Sequence, residues 1–200
     1  MIRAAYTFLF SVVCLLAACG AREVLIAKSV ENTASLDFSG LWQLRNDAES
    51  DQRRLNDAIR KTDGVDSSEI FRSADVDQYG RVRYGSRREI GGLVHVFLQN
   101  GENLKITQTA GGIFISFDRA VVQEFRFGEY REVHVGPVVA DRVSGWEGEG
   151  YVVETLDESG MKLTERFAFG EDRDTLRRTI TLRGKNMEAE TIVQTFDRIS

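Results

Sequence analysis

From residue 103 onward the chain is a succession of short apolar-alternating runs, each closed by glycine or acidic turn residues, and this rhythm limits the fold more than any other feature. The runs span 104–109, 113–117, 121–127, 138–146, 151–156, 161–169, 176–182 and 191–198. Between them stand turns such as Gly148-Glu149-Gly150, Asp157-Glu158-Ser159-Gly160 and Gly170-Glu171-Asp172. Regular spacing of this kind predicts an antiparallel meander. A further strand is predicted over 36–44, giving about nine strands by this reading. A meander of that length avoids open edges most simply by curling into a barrel. Alternation in 161–169 places Met161, Leu163, Glu165, Phe167 and Phe169 on one face. In 176–182 the corresponding set is Leu176, Arg178, Ile180 and Leu182. Each inward face therefore carries one charge.

The segment between the first strand and the meander reads differently. Residues 46–62 hold helix formers with Ala48, Leu55, Ala58 and Ile59 near one face, Asp47 in a capping position and Gly64 just beyond. Residues 63–88 are polar, acidic first and then basic at Arg81, Arg83, Arg87 and Arg88, and are expected to be a loop with short ordered pieces. A basic cluster of this kind suits anionic lipid or, more simply, a solvated face answering the nearby acids. Residues 89–99 fit either helix or strand, and the reading favoured is a helix from about Leu93 to Asn100-Gly101. The expected fold is mainly β: an antiparallel up-and-down barrel with one or two helices, in a 46–100 insertion, between the first strand and the main meander.

The N-terminus fixes the compartment. Arg3 precedes an apolar run from Ala4 to Leu16, which ends in Leu16-Ala17-Ala18-Cys19-Gly20. The run is shorter than a spanning helix, which needs about 20 residues, and reads as a secretory signal peptide. Small residues followed by cysteine resemble the lipobox of bacterial lipoproteins. The resemblance implies cleavage before Cys19, lipidation of Cys19, and attachment to the membrane by acyl chains. Gly20 after that cysteine implies the outer membrane, with the domain facing the periplasm. The organisation expected is a leader over 1–18, a lipidated N-terminus and tether over 19–35, and one barrel domain over 36–200. Of the two cysteines, Cys14 leaves with the leader and Cys19 is acylated, so no thiol remains for a disulfide, a metal or a nucleophile.

Composition then excludes several functions. Loss of the leader removes Arg3 and takes the formal charge from -5 to -6, which argues against nucleic acid as a partner. His95 and His134 are the two histidines, and neither has a ligand neighbour at metal spacing. No phosphate loop and no nucleophile elbow is present. No metal, cofactor or catalytic residue is expected, and the chain is read as a non-enzyme.

Gly40-Leu41-Trp42 resembles the Gly-x-Trp motif of lipocalins and other calycins. In that superfamily an arginine near the end of the last strand covers the tryptophan, and Arg198 stands at the comparable place. Trp146 to Thr155, Leu163-Thr164-Glu165-Arg166-Phe167 and Thr195-Phe196-Asp197-Arg198 are similar to phrases in uncharacterised lipocalin-like bacterial envelope proteins. The resemblance implies a barrel that binds a hydrophobic or amphipathic small molecule. Glu165, Arg178 and Phe167 are then candidate ligand contacts, the charges serving a head group. The simpler reading of the same charges is a buried pair that satisfies itself. Phe114, Phe117, Phe125, Phe127, Phe167, Phe169 and Phe196 either line a cavity or fill it, since a small barrel is just wide enough to be packed by its own side chains. A filled barrel would make the chain an interaction, assembly or inhibitor module of the envelope, with an envelope protein as partner and residues 46–100 as contact surface.

Overall fold

The structure is a computed structural model, and it describes residues 23–63, 74–76, 82–84, 93–119, 122–136, 138–185 and 187–199. Cys19 and the leader lie outside the described residues, as do the side chains of His95, Arg81, Arg83, Arg87 and Arg88. The described elements run β1 (Gly40–Leu44), α1 (Ala48–Asp63), β2 (Ala74–Val76), β3 (Val82–Tyr84), α2 (Leu93–Phe97), β4 (Asn103–Gln108), β5 (Gly112–Phe117) and β6 (Gln123–Arg126). They continue with β7 (Glu129–Val135), β8 (Val138–Glu147), β9 (Gly150–Asp157), β10 (Lys162–Phe169), β11 (Thr175–Arg183) and β12 (Ala189–Ile199).

Ten strands form one antiparallel sheet in the order β6-β5-β4-β1-β12-β11-β10-β9-β8-β7, and β2 and β3 make a separate hairpin. The two edge strands, β6 and β7, follow one another in sequence through the turn at Phe127-Gly128. The sheet thus curls until its ends meet. Among the described residues no backbone ladder joins β6 to β7. Side chains bridge the seam instead: Arg131 Nη2 donates to Glu124 O at 3.2 Å and Ser144 Oγ to Arg126 O at 2.8 Å. The fold is a nearly closed antiparallel up-and-down barrel with a helical cap after its first strand.

Strand β7 is the element that sequence reading passes over. Its residues, Glu-Tyr-Arg-Glu-Val-His-Val, are exposed on both faces for most of its length. An edge strand with two wet faces has no apolar period to announce it. Strand β1 begins at Gly40, four residues later than expected from 36–44, and α2 is one short turn rather than a helix reaching Asn100.

Helix α1 forms where expected. Asp47 caps it, accepting from Ser50 N at 2.8 Å. Its buried stripe is Asp51, Leu55, Ala58, Ile59 and Thr62, a helical spacing that closes one end of the barrel. The opposite end is an aromatic core of Phe38, Trp42, Phe117, Trp146, Tyr151, Phe167 and Phe196. Phe114 points away from this core, because Ile113, Ile115 and Phe117 take the inward positions of β5. Phe127 and Phe169 are partly buried against it.

The expected tether is docked in its described part. Ser29 pairs with Trp146 of β8 through N–H to O bonds of 3.2 and 2.8 Å. From there residues 23–28 cross the outside of the barrel from β8 to β11. Leu25 is buried against Val143 and Leu156. Lys28 reaches Glu154 at 3.4 Å, and Glu23 reaches Lys162 at 3.3 Å and also bonds Arg183. The segment is not a free linker, because Val143 and Leu156 face outward and need a cover. Arg183, then Lys162, hold the Glu23 carboxyl below its ordinary value of 4.5. Docking is therefore at full strength above that value and weakens as pH falls through the lowered one.

Gly145 is where this strap passes closest. A Cβ there would lie 2.5 Å from Ser29 O and 2.8 Å from Lys28 Cβ. Gly145→Val is expected to expel the strap and to cost about 1–3 kcal/mol by overpacking. Limited proteolysis checks this: cleavage between residues 23 and 35 should accelerate in the variant while the barrel stays resistant.

Candidate functional site

The inward charges sit midway along the barrel, between the aromatic core and the helical cap. Each key contact is a cross-strand neighbour set by the sheet register. Arg178 on β11 stands opposite Gln194 on β12 and one step diagonal to Glu165 on β10. Arg178 bonds the Glu165 carboxylate through Nε at 2.9 Å and through Nη2. Its Nη1 donates to Gln194 Oε1 at 2.9 Å and Nη2 to Gln99 O at 2.7 Å. Phe117 faces the guanidinium at 4.4 Å. Gln194 Nε2 in turn donates to Asp51 of α1 and to Asn100 Oδ1, the latter at 2.6 Å. Arg54 closes the chain on Asp51 at 2.5 Å. This buried network ties three strands to the first turns of α1 and to the segment after α2.

So the structure brings Glu165, Arg178 and Phe167 together inside the barrel, with Phe167 directly opposite Arg178 in the register. Arg178 pairs with one carboxylate oxygen of Glu165 and commits its remaining donors to Gln194 and Gln99. The geometry of Glu165 and Arg178 is that of a self-satisfied pair, which holds the cap in place.

A second buried arginine is different. Arg142 on β8 lies opposite Thr155 on β9, and its Nε donates to Thr155 Oγ1 at 3.1 Å. Its guanidinium lies over Phe97 of α2 at 4.7 Å and over Phe125 at 5.4 Å. Among the described residues no ion pair reaches it. Burial pulls its pKa down from the ordinary arginine value to about 10, against the opposing pull of Glu165. At neutral pH it is a cation in an apolar setting with most of its donors uncommitted to the described side chains. Sequence reading passed over Arg142, yet a signal was there: Ala140, Arg142, Ser144 and Trp146 share one face of the strand. Gln194 follows the same logic between Ile192 and Phe196.

The motif residues converge at the aromatic end, opposite α1. Trp42 is fully buried, and its Nε1 donates to Phe38 O at 3.1 Å. Arg198 stands opposite Trp42 in the register, with its guanidinium 4.1 Å from the ring centroid and Nη1 donating to Ser39 O at 2.9 Å. A Cβ on Gly40 would come within 2.6 Å of Arg198 Nη1, so glycine leaves room for the stack. Exposed His134 pairs with Glu132 at 2.7 Å. Among the described residues no three His, Cys, Asp or Glu side chains converge on a point.

The inward side chains leave almost no surface open: Phe117, Phe125, Phe167, Phe196, Leu176 and Ile180 are each at most 2 % exposed. Two clefts, of about 380 and 470 Å³, lie outside the barrel where α1 meets β12. Their charges are already paired, as in Lys61 with Glu190 at 3.2 Å.

No family model and no curated protein matches the chain. Solved structures do. The fatty-acid-binding protein of Manduca sexta has a TM-score of 0.46 at 12% identity, over 80% of this chain and 99% of that one. The zebrafish ileal bile acid-binding protein complexed with cholic acid has a TM-score of 0.45 at 12% identity, over 81% and 98%. A secretory abundant heat soluble protein of Ramazzottius varieornatus has 0.45 at 11%, over 80% and 94%. These are low scores between remote sequences, and the topology described above stands on its own strand order.

Proposed function

We propose that this chain is a lipid-anchored envelope protein whose barrel takes up a small amphipathic anion, with Arg142 receiving the head group. The observation that carries this reading is Arg142 itself, a buried guanidinium with one hydrogen bond among the described residues and an aromatic ring on each of two sides. Such a cation is costly to keep and chemically matched to a carboxylate or phosphate. Glu165 and Arg178 do not serve this role, because they are spent on one another. Phe97 on α2 covers Arg142, so α2 is the element that yields when the head group enters, and the apolar tail follows the aromatic core. The anchor is Cys19, on the outer membrane and facing the periplasm, and the role is binding, not catalysis.

A second reading has its own support. The near-complete burial of the interior fits a filled barrel that acts through its surface on an envelope protein. Native mass spectrometry of residues 20–200 with a bacterial lipid extract separates the two. A discrete adduct that is lost in Arg142→Met and kept in the surface variant Arg177→Met is expected. A clean unliganded mass, under conditions where a fatty-acid-loaded control barrel keeps its ligand, would replace the binding reading by the filled-barrel one.

A further inference from the structure

The docked strap has a second face, which the barrel does not use. Leu25 turns inward, and its neighbours turn outward: Val24 is 71% exposed and Ile26 79%. In an extended segment packed on one side, the outward positions are ordinarily polar. Here they are two branched aliphatic side chains, with Val30 a further exposed one on the same strap. Single exposed apolar residues need no explanation. Two at alternate positions of a segment that is pinned at both ends are a presented surface. The pins are specific. Ser29 is paired to the backbone of Trp146, Leu25 is buried, and Glu23 is held by Lys162 and Arg183. The charges around the strap are matched among themselves, through Lys28, Glu154 and Lys162, so the face between them is close to neutral.

What lies beyond the strap names the occupant. Three residues lie between Cys19 and Glu23, so the four steps from one to the other span at most about 14 Å. If the acyl chains leave from Cys19, the outward face of the strap is the part of the domain nearest the bilayer. We infer that residues 23–30 orient the barrel on the membrane, with Val24 and Ile26 entering the interfacial layer of the leaflet that holds Cys19. This rests on the lipoprotein reading above. Aliphatic side chains on a surface segment settle about 5–10 Å into the boundary between head groups and acyl chains. The outer walls of β8 to β11 then face the lipid, and β1 and β12, further round the sheet, face water. A tether that were merely flexible would leave the barrel free to tumble. A docked one fixes which openings point toward the membrane.

Site-directed spin labelling tests this. Full-length chain is processed in a bacterial host and reconstituted in phosphatidylethanolamine–phosphatidylglycerol vesicles. With Cys14 removed and Cys19 acylated, an introduced cysteine is the single free thiol. Labels go to Val24→Cys and Ile26→Cys on the strap, and to Leu41→Cys and Val193→Cys on exposed positions of β1 and β12. The expected result is a several-fold higher ratio of oxygen to nickel-chelate accessibility at 24 and 26 than at 41 and 193, in vesicles only. Gly145→Val, which frees the strap, should collapse the difference without releasing the protein. All four labels in water on acylated, vesicle-bound protein would overturn the orientation and leave the anchor standing. Labels 24 and 26 shielded equally without vesicles would also overturn it, in favour of a second copy of this chain. An intact mass lacking acyl chains, with no co-flotation, would remove the lipoprotein reading and the orientation with it.

Discussion

Arg178→Met is expected to destabilise the barrel by about 3–5 kcal/mol, because it leaves a buried partner charge without compensation. Glu165 would lose both bonds to the guanidinium, and Gln194 Oε1 and Gln99 O would lose their donor. Glu165 and Gln194 cannot turn to water, since both are buried. The damage should spread to the cap, because Gln194 also holds Asp51 and Asn100. The double variant Arg178→Met, Glu165→Leu should recover most of the loss, as replacing a buried pair by apolar groups of similar size often does. Urea unfolding of the two variants checks both statements. A double variant as unstable as the single one would show that Gln194 and its partners, not the ion pair, carry the effect.

Arg142→Met is expected to act in the opposite direction and to stabilise the fold by about 1–2 kcal/mol. Its guanidinium has a pKa of about 10 in the folded chain, below that of a free arginine. Between those values the unfolded state binds more protons than the folded one, so the stability of the native protein rises with pH across that window. Below pH 10 the penalty is fully present, on the order of 3 kcal/mol. Methionine removes it and gives back part of the gain, because contacts with Phe97, Phe125 and Thr155 are lost at about 1 kcal/mol or less each. A variant that is more stable and no longer takes a lipid adduct would have the signature of a group kept for function at the expense of stability. A lower melting temperature than the unmodified chain would assign Arg142 a structural task like that of Arg178. The two substitutions are chemically identical and both sites are buried, so the contrast compares an arginine with a direct carboxylate partner and a hydrogen-bond network with one that has a single hydrogen bond among the described residues.

Much of the barrel can be read from the chain. Strands β10 and β11 alternate buried and more exposed residues along most of their length, glycine-bearing turns separate β8 to β12, and both properties are local. Helix α1 is equally plain, from Asp47 at its cap to the Leu55, Ala58 and Ile59 stripe. Alternation alone also puts Glu165, Arg178 and Phe167 on inward faces. The partners of those residues are a different matter. Whether Arg178 meets Glu165 or another group depends on the register of β10 against β11 and of β11 against β12. Arg142 and Gln194 were on readable faces, but nothing local distinguishes an inward arginine that finds a carboxylate from one that does not.

By itself, then, the sequence determined what is written in short range: a β meander, a capping helix, a Gly40-x-Trp42 motif with Arg198 near the end, and a surplus of phenylalanine. Tertiary structure decided which of these meet. It gave Arg178 its carboxylate, whereas no carboxylate among the described residues forms an ion pair with Arg142. It filled the interior with the phenylalanines, sent Phe114 outside, and laid residues 23–30 over Val143 and Leu156 instead of leaving them as a linker. Strand β7 also exists only through its ladder to β8, because its own residues carry no apolar period. The reason is common to all of them. Periodicity tells a side chain which way to face, whereas pairing between strands distant in sequence decides what it faces.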